Sequence, residues 1–342
     1  MLVSVIINNY NYSQYIAEAI ESVLNQTYKN FELIIVDDGS TDSSRDIIDQ
    51  FYTINPEKII KIYKKNGGQG SAFNAGLKVA SGQVIAFLDS DDYWFHNKLK
   101  NIVAAHAEFD IVEHGMLCSG EHCRWVQTKT NAQNLLKQNG EISRFSETSS
   151  LSFRKELLDK IFPIPEEDLK ICTESFVLLG AVYHSNKITT LRECLSYYRI
   201  HGENNYIDNP NADKFHMTKF INLYNSILKS EKLTTIPFGE EKVIKNLKGI
   251  DFCRDTKYAI YGLGRVSKLV TEYLTENNHF ISFYIDSNIK NRNVEKKIYH
   301  PSNLLDLKEE YDFIIIASSF VDEIKEILNG VSISNDKTIA IY

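Results

Sequence analysis

Asp89-Ser90-Asp91-Asp92 puts three carboxylates within four residues, directly after the apolar run 84–88. Carboxylates crowded against a buried strand end repel one another and are costly to desolvate unless a cation or hydrogen-bond donors neutralise them. A hard divalent ion with oxygen ligands would do so, and could bridge to phosphate oxygens. Taken alone, the quartet reads equally well as a solvated acidic turn. Asp37-Asp38-Gly39-Ser40 is a second acidic cluster, although Asp-Gly is also ordinary turn chemistry. A third polar cluster, Asn8-Asn9-Tyr10-Asn11, follows the apolar run 3–7.

The elements that must position these clusters are short apolar runs separated by helical patterns. Residues 3–7, 33–36, 59–63 and 84–88 read as strands. Ser13 is placed to cap a helix in which Ile16, Ile20, Val23 and Leu24 share a face. Ile47, Ile48 and Phe51 form the inner face of a second helix. Ala72, Ala75 and Val79 line a third, with Gly82 suited to a left-handed C-terminal cap. Strands apolar on both faces and alternating with helices predict a parallel sheet covered on both sides. Ligands of such sheets gather beyond the carboxyl ends of the strands. All three polar clusters fall there, which predicts one site on one rim.

Val3-Ser-Val-Ile-Ile7 with Tyr10-Asn11, Ala19-Ile-Glu-Ser-Val-Leu-Asn-Gln-Thr-Tyr28, Val36-Asp-Asp-Gly-Ser-Thr-Asp42 and Phe87-Leu-Asp-Ser-Asp-Asp92 resemble, in order and spacing, the family 2 inverting glycosyltransferases of GT-A fold. The resemblance runs from residue 3 to about residue 100. It implies a hexosyltransferase-type enzyme that moves a sugar from a nucleotide-sugar, above all a UDP-sugar, to a glycan or lipid-linked glycan acceptor with Mn2+ or Mg2+. It also implies roles. Asn8, where threonine is more usual, and Tyr10 lie where the family contacts the base, and Asp38 matches the carboxylate that accepts a hydrogen bond from uracil. Asp89 and Ser90 fall nearer the ribose, and Asp91 is the metal ligand. Gly67-Gly-Gln-Gly-Ser-Ala-Phe-Asn74, with Gly68, Gln69 and Asn74, matches a glycine-rich loop and helix start against the nucleotide; a plain strand-to-helix turn is the other reading.

The second half of that site rests on weaker matches. Tyr197-Tyr-Arg-Ile-His201 resembles a late motif whose histidine approaches the metal or diphosphate, and imidazole suits manganese. A surface histidine before the polar run 202–205 is the alternative. An inverting transfer needs a base for the acceptor hydroxyl, and Cys172-Thr-Glu174 stands where the family places an acidic pair ahead of a helix. Glu174 is the candidate, with Asp168, Glu167 and Glu166 as alternatives. Ser150-Leu-Ser-Phe-Arg154 resembles an acceptor-side loop in which Arg154 contacts diphosphate or acceptor, against a structural arginine paired with Glu156 or Glu166.

The remainder bounds the chain. Its 342 residues are long enough for two domains: a GT-A domain over 1–210, a helical connector over 211–254 and a small Rossmann-like domain over 255–342. In the last, Gly262-Leu-Gly264 follows a strand and Asp286 ends the next, the context of a nucleotide fingerprint in which Ser267 replaces the third glycine. Packing or homo-oligomer formation is the other use of such a unit. A net charge of −7 argues against a nucleic-acid partner. Five scattered cysteines, including the 118–123 cluster Cys118-Ser-Gly-Glu-His122-Cys123, read as reduced thiols and not as a zinc site or a disulfide framework. The first residues read as a strand and not as a signal peptide, and no apolar run approaches the roughly 20 residues that cross a bilayer. A cytoplasmic enzyme, at most peripheral to the inner face of the membrane, is the expectation. Two other functions are open to the sequence: a non-catalytic nucleotide-sugar-binding or assembly subunit, for the Thr173-Glu174 departure, and an NAD(P)-binding oxidoreductase or epimerase-like protein, which lacks a Tyr-x-x-x-Lys pair beside its glycine turn.

Overall fold

The computed structural model describes residues 1–118, 122–124, 133, 136, 147–201, 212–237, 239–288, 297–318 and 321–341. Residues 119–121 of the cysteine–histidine cluster and the polar run 202–205 lie outside them. Strands β1 (Val3–Asn9), β2 (Phe31–Asp37), β3 (Ile59–Tyr63) and β4 (Val84–Asp89) are parallel, with helices α1 (Ile16–Leu24), α2 (Ser44–Ile54) and α3 (Gln69–Val79) between them. They form one half of a mixed sheet of order β3-β2-β1-β4-β8-β6-β9-β5. The other half comprises β5 (Tyr93–Trp94), β6 (Ile111–Cys118), β7 (His122–Arg124) paired to β6, β8 (Ser152–Arg154) and β9 (Ile188–Tyr198).

Both faces of the parallel half are covered, as the apolar runs require. Val5, Ile7, Leu33, Ile35 and Leu88 pack with Ile16, Ile20 and Ile48 of α1 and α2 and with Leu99 and Ile102 of α4 (Lys98–Ala105). On the opposite face Phe87 stacks on Phe73 of α3 at 4.4 Å. Two local expectations are corrected. Ser13 does not cap α1, which starts at Ile16; its N–H instead donates to Asp42 Oδ2 at 2.8 Å. Gly82 does not take a left-handed conformation, and α3 ends at Val79. Its glycine is needed because a Cβ there would lie 2.5 Å from Ser4 N.

Two chain reversals build the far side of the rim. β8 runs antiparallel to β4, with Ala86 opposite Ser152 and Val84 opposite Arg154. The turn 148–150 that precedes β8 is therefore carried to the carboxyl end of β4. β9 ends against β5, Tyr197 opposite Tyr93, and delivers Arg199 and His201 to the acidic turn. Between them, after the short α5 (Lys155–Leu158), α6 (Thr173–His184) is buried along nearly its whole length. A helix apolar all round carries no amphipathic signature.

The described residues fall into two compact units, Met1–Thr235 and Ile236–Tyr342. The stretch 211–254, read from sequence as a connector, is divided between them. α7 (Ala212–Ser230) sits in the first unit, where the Phe176 ring of α6 meets Phe220 and Tyr224 at 6.1 and 5.5 Å. α8 (Gly239–Lys248) sits in the second, burying Val243 and Leu247 in its core. That second unit is a wholly parallel sheet of order β12-β11-β10-β13-β14. Its strands are β10 (Lys257–Tyr261), β11 (Phe280–Ile285), β12 (Ile298–Tyr299), β13 (Phe313–Ile316) and β14 (Thr338–Ala340), with α9 (Arg265–Glu276) and α10 (Val321–Gly330) as crossovers. No helix among the described residues is long and apolar enough to cross a membrane. Cys118, Cys172 and Cys253 carry free thiols, but Cys194 is disulfide-bonded, which corrects the expectation of thiols throughout.

Candidate active site

The register of the sheet places the first contacts. Asn8 lies opposite Asp89 on β4 and opposite Val36 on β2. Its Nδ2 donates to Asp89 Oδ1 at 3.0 Å. Asp92 is 2% exposed and turned inward, its Oδ2 accepting from Ser149 Oγ at 2.6 Å and its Oδ1 from Arg199 N at 2.9 Å. Burial and then the Asp91 charge raise the carboxyls of both Asp89 and Asp92. Asp91 stays partly open and meets His201 Nε2 through its Oδ2 at 2.9 Å. The imidazole is flanked by Tyr12 and Tyr15, with ring centroids 5.6 and 5.1 Å away. Arg199 braces the same corner. Its Nε donates to Asp91 O at 2.8 Å, its guanidinium lies over Tyr15 at 4.8 Å, and it also holds Glu18.

Glu174 occupies the first turn of α6, after Cys172 in a left-handed conformation (φ 56°). Burial, and then the charge of Asp89, push its carboxyl up to about 8. The alternative carboxylates behave differently. Glu166 accepts from Ser71 Oγ at 2.7 Å and Asn74 Nδ2 at 2.9 Å, which hold it below the usual carboxylate range. Glu167 is 93% exposed, and Asp168 is exposed.

The glycine-rich segment turns out to tie two loops together. Asp38 receives Lys64 Nζ at 2.5 Å, Gly67 N at 3.0 Å and Gly68 N at 2.7 Å, so its carboxylate anchors the loop. Gly68 (φ 86°) leaves no room for a Cβ, which would lie 2.7 Å from Lys170 Cα. The first amides of α3, Gln69 N and Gly70 N, donate to the carbonyls of Lys170 and Leu169 at 3.0 and 2.9 Å. Asn74 brackets Ile164, donating to its carbonyl at 2.9 Å and accepting from its N–H at 3.0 Å. Gln69 reaches furthest. Its Oε1 accepts from Thr173 N at 2.8 Å while its Nε2 approaches Thr148 Oγ1 at 3.4 Å. Asp37, with no exposed surface, is raised by burial, but Ser40, Arg45 and Asn9 hydrogen-bond to it and hold it low.

The remaining candidates separate cleanly. Tyr10 is 47% exposed at the rim, and Ser90 is buried within the acidic turn. Arg154 is removed from the site by the antiparallel register: it lies opposite Val84, at the far end of β4 from Asp89, and donates to His106 O. In the second unit, Gly262 (φ 109°) and Gly264 join β10 to α9, and Asp286 ends β11, where its Oδ1 accepts from Asn288 N at 2.7 Å. Sequence reading missed Ser149, Thr148, Arg199 and Lys98. Arg199 lies within the Tyr197–His201 motif and Lys98 six residues after Asp92, whereas Thr148 and Ser149 reach the rim only through the pairing of β8 with β4.

Among the described residues, no group of three or more His, Cys, Asp or Glu side chains is arranged to hold a metal. Asp91 and His201 nevertheless fit as a pair. They bring a carboxylate oxygen and an imidazole nitrogen together at 2.9 Å, donor types that a manganese ion accepts. Magnesium-type ions bind through one or two carboxylates plus substrate phosphates, so a two-ligand protein site is sufficient.

Comparison with known proteins agrees with this geometry. Residues 4–161 match the model of Glycosyl transferase family 2, and residues 254–339 match one described as C2185-like, N-terminal. A Nostoc sp. (strain PCC 7120) protein described as an uncharacterised glycosyltransferase, alr2836, is 42% identical over 222 residues, covering 62% of this chain and 69% of that one. Escherichia coli WfaP, named a UDP-Glc:alpha-D-GlcNAc-diphosphoundecaprenol beta-1,3-glucosyltransferase, is 50% identical over 103 residues, 29% of this chain and 39% of WfaP. The crystal structure of Staphylococcus aureus TarS 1-349 in complex with UDP superposes with a TM-score of 0.50 at 26% identity, covering 67% of this chain and 72% of that one. With its GT-A-type sheet, its acidic turn and these matches, the chain belongs to glycosyl transferase family 2 and is a glycosyltransferase.

Proposed function

We propose that this glycosyltransferase moves a hexosyl group, with inversion, from a UDP-sugar to a hydroxyl of a glycan or lipid-linked glycan, with Glu174 as the general base. The observation that carries the assignment is the environment of Glu174. It is a partly buried carboxylate at the start of α6, next to the charge of Asp89 and raised to about 8. A base works best with a pKa near the operating pH. In the transfer, the acceptor oxygen bonds to the anomeric carbon as the bond from that carbon to the diphosphate oxygen breaks. The bonding pair leaves with UDP, and the hydroxyl proton passes to Glu174. Attack opposite the leaving group inverts the configuration.

The TarS complex with UDP and the name of WfaP support a UDP-sugar donor. Asn8, Tyr10 and Asp89 are the rim residues offered to the nucleotide, the buried Ser90 supports the turn beneath them, and Gly68, Gln69 and Asn74 keep the wall in place. Asp38 serves a base only if it exchanges one of its three donors for the uracil N–H. Asp91 and His201 would hold Mn2+ or Mg2+, which when bound would offset the charge developing on the departing diphosphate. A lipid-linked acceptor would bring the chain to the inner face of the membrane as a peripheral protein. In the second unit, Gly262, Gly264 and Asp286 are offered to a nucleotide or to the packing of a homo-oligomer.

Glu174→Gln tests the assignment. UDP binding by calorimetry should stay within about threefold of wild type, while UDP-sugar turnover falls by about 10³. Turnover near wild type would place the base elsewhere.

A further inference from the structure

We infer that Ser149 is a positioning residue that sets the spacing between Asp89 and Asp91, and thereby how tightly the turn takes a cation-bound diphosphate. The inference rests on the donor-site reading above. The Ser149 hydroxyl touches both ends of the acidic turn: its Oγ accepts from Asp89 N at 3.1 Å and donates to Asp92 Oδ2 at 2.6 Å. Spanning four residues of backbone with one hydroxyl fixes the ends of that turn relative to each other. Asp91 lies between those ends, so its direction toward His201 follows from them.

Ser149 can serve as this strut because its other end is also held. Its carbonyl accepts from Trp94 Nε1 at 3.1 Å and from Lys98 Nζ at 2.6 Å. Lys98 has no exposed surface, and its Nζ lies 3.5 Å from the centre of the Trp94 ring. Lysine is almost never fully buried unless paired. Burial lowers the Lys98 pKa well below the ordinary lysine value, and its amine is fastened to the Ser149 carbonyl. The peptide of Ser149 is thus held by Trp94 and Lys98 through its carbonyl and by Asp89 and Asp92 through its hydroxyl. Asp92 is fully occupied by this arrangement, with Ser149 on one oxygen and Arg199 N on the other. Asp89 and Asp91 are the members left facing the rim. Ser149 touches neither donor nor acceptor in this account; it acts through the turn.

The test is calorimetric titration of the full chain with UDP, with and without MnCl2, on wild type, Ser149→Ala, Ser149→Cys and Ser149→Thr. Ser149→Ala and the volume-keeping Ser149→Cys should weaken UDP binding in MnCl2 by about tenfold and leave the Mn2+-free affinity unchanged. Ser149→Thr, which keeps the hydroxyl, should recover to within about threefold. If Ser149→Ala proves too unstable to measure, Ser149→Cys decides. Wild-type affinity in both hydroxyl-deleted variants would overturn the inference and leave the donor site standing. So would an equal loss with and without MnCl2, the mark of a merely structural role. A wild-type protein whose UDP binding ignores MnCl2 would instead sink the donor-site reading itself.

Discussion

His201 and Asp91 stand 2.9 Å apart, imidazole Nε2 to carboxylate Oδ2, although 110 residues of chain separate them. If this pair holds the cation, Asp91→Ala abolishes the Mn2+ dependence of UDP binding. His201→Ala should raise the Mn2+ concentration needed for half-maximal binding by about tenfold to a hundredfold, the usual cost of losing one member of a metal site's immediate surroundings. Unchanged Mn2+ titration in both variants would exclude the pair.

Glu174 predicts a pH profile. If Glu174 is the base, its ionised form is the active one, and its carboxyl is raised to about 8. kcat/KM should therefore climb about tenfold per pH unit on the acidic side and level off near pH 8. Rates measured across pH 6 to 9 check this, and a flat profile over that range would contradict the role.

The same group predicts a stability slope. A carboxyl raised in the folded state holds its proton more tightly than in the unfolded chain, whose value is near 4.3. Its stabilisation is therefore complete below that value and is lost as pH rises toward about 8. His106, lowered to about 4 chiefly by burial, and His114, also lowered, act in the opposite sense at lower pH. Between pH 6.5 and 8 the Tm of wild type should fall, by on the order of 5 °C, with the raised Asp89 and Asp92 carboxyls acting in the same direction, so Glu174→Gln should lessen that slope without abolishing it. Parallel slopes for the two proteins would show that the Glu174 carboxyl is not raised.

Gly68→Ala probes the tie between α3 and the loop 164–170. The position combines φ 86° with a backbone neighbour 2.7 Å from any Cβ. Strain and displacement together should cost about 1–3 kcal/mol of stability, read as a lowered midpoint in denaturant. kcat should drop with it, because Gln69 next door holds Thr173 N at the head of the helix that bears Glu174. Full activity in a destabilised variant would show that the tie is only mechanical.

Arg154 separates sequence likeness from geometry. It lies at the opposite end of β4 from Asp89. Arg154→Met should keep kcat and the UDP affinity within about twofold while lowering Tm, since it loses the bond to His106 O. A large loss of diphosphate binding would return Arg154 to the site.

The parallel half of the first unit was legible because β1, β2 and β4 are apolar on both faces and their polar clusters follow immediately. Asn8 and the turn 89–92 could be assigned to one rim from that pattern alone. The other half was not legible, for identifiable reasons. β8 is only three residues long, β9 is partly exposed along most of its length, and α6 is apolar all round. Ser149 therefore carried no local signal; only the antiparallel pairing of β8 with β4 brings it to the acidic turn. Asp38 and Asn74 show a different limit. Their residue types and locations were readable, but not that loop amides, Lys64 and the backbone of Ile164 would occupy their polar atoms.

The clasp between α3 and residues 164–170 has a bearing on engineering. Surface loops are the most change-tolerant parts of a chain and often carry its binding residues, which makes them natural segments to exchange. Here the loop leading to Glu174 is buttoned to α3 by Gln69, Gly70, Ser71 and Asn74. A graft of 164–174 alone would leave those four partners facing the wrong sequence. The smallest transplantable module is discontinuous, 67–74 together with 164–174, and a change of acceptor therefore carries part of the donor wall with it.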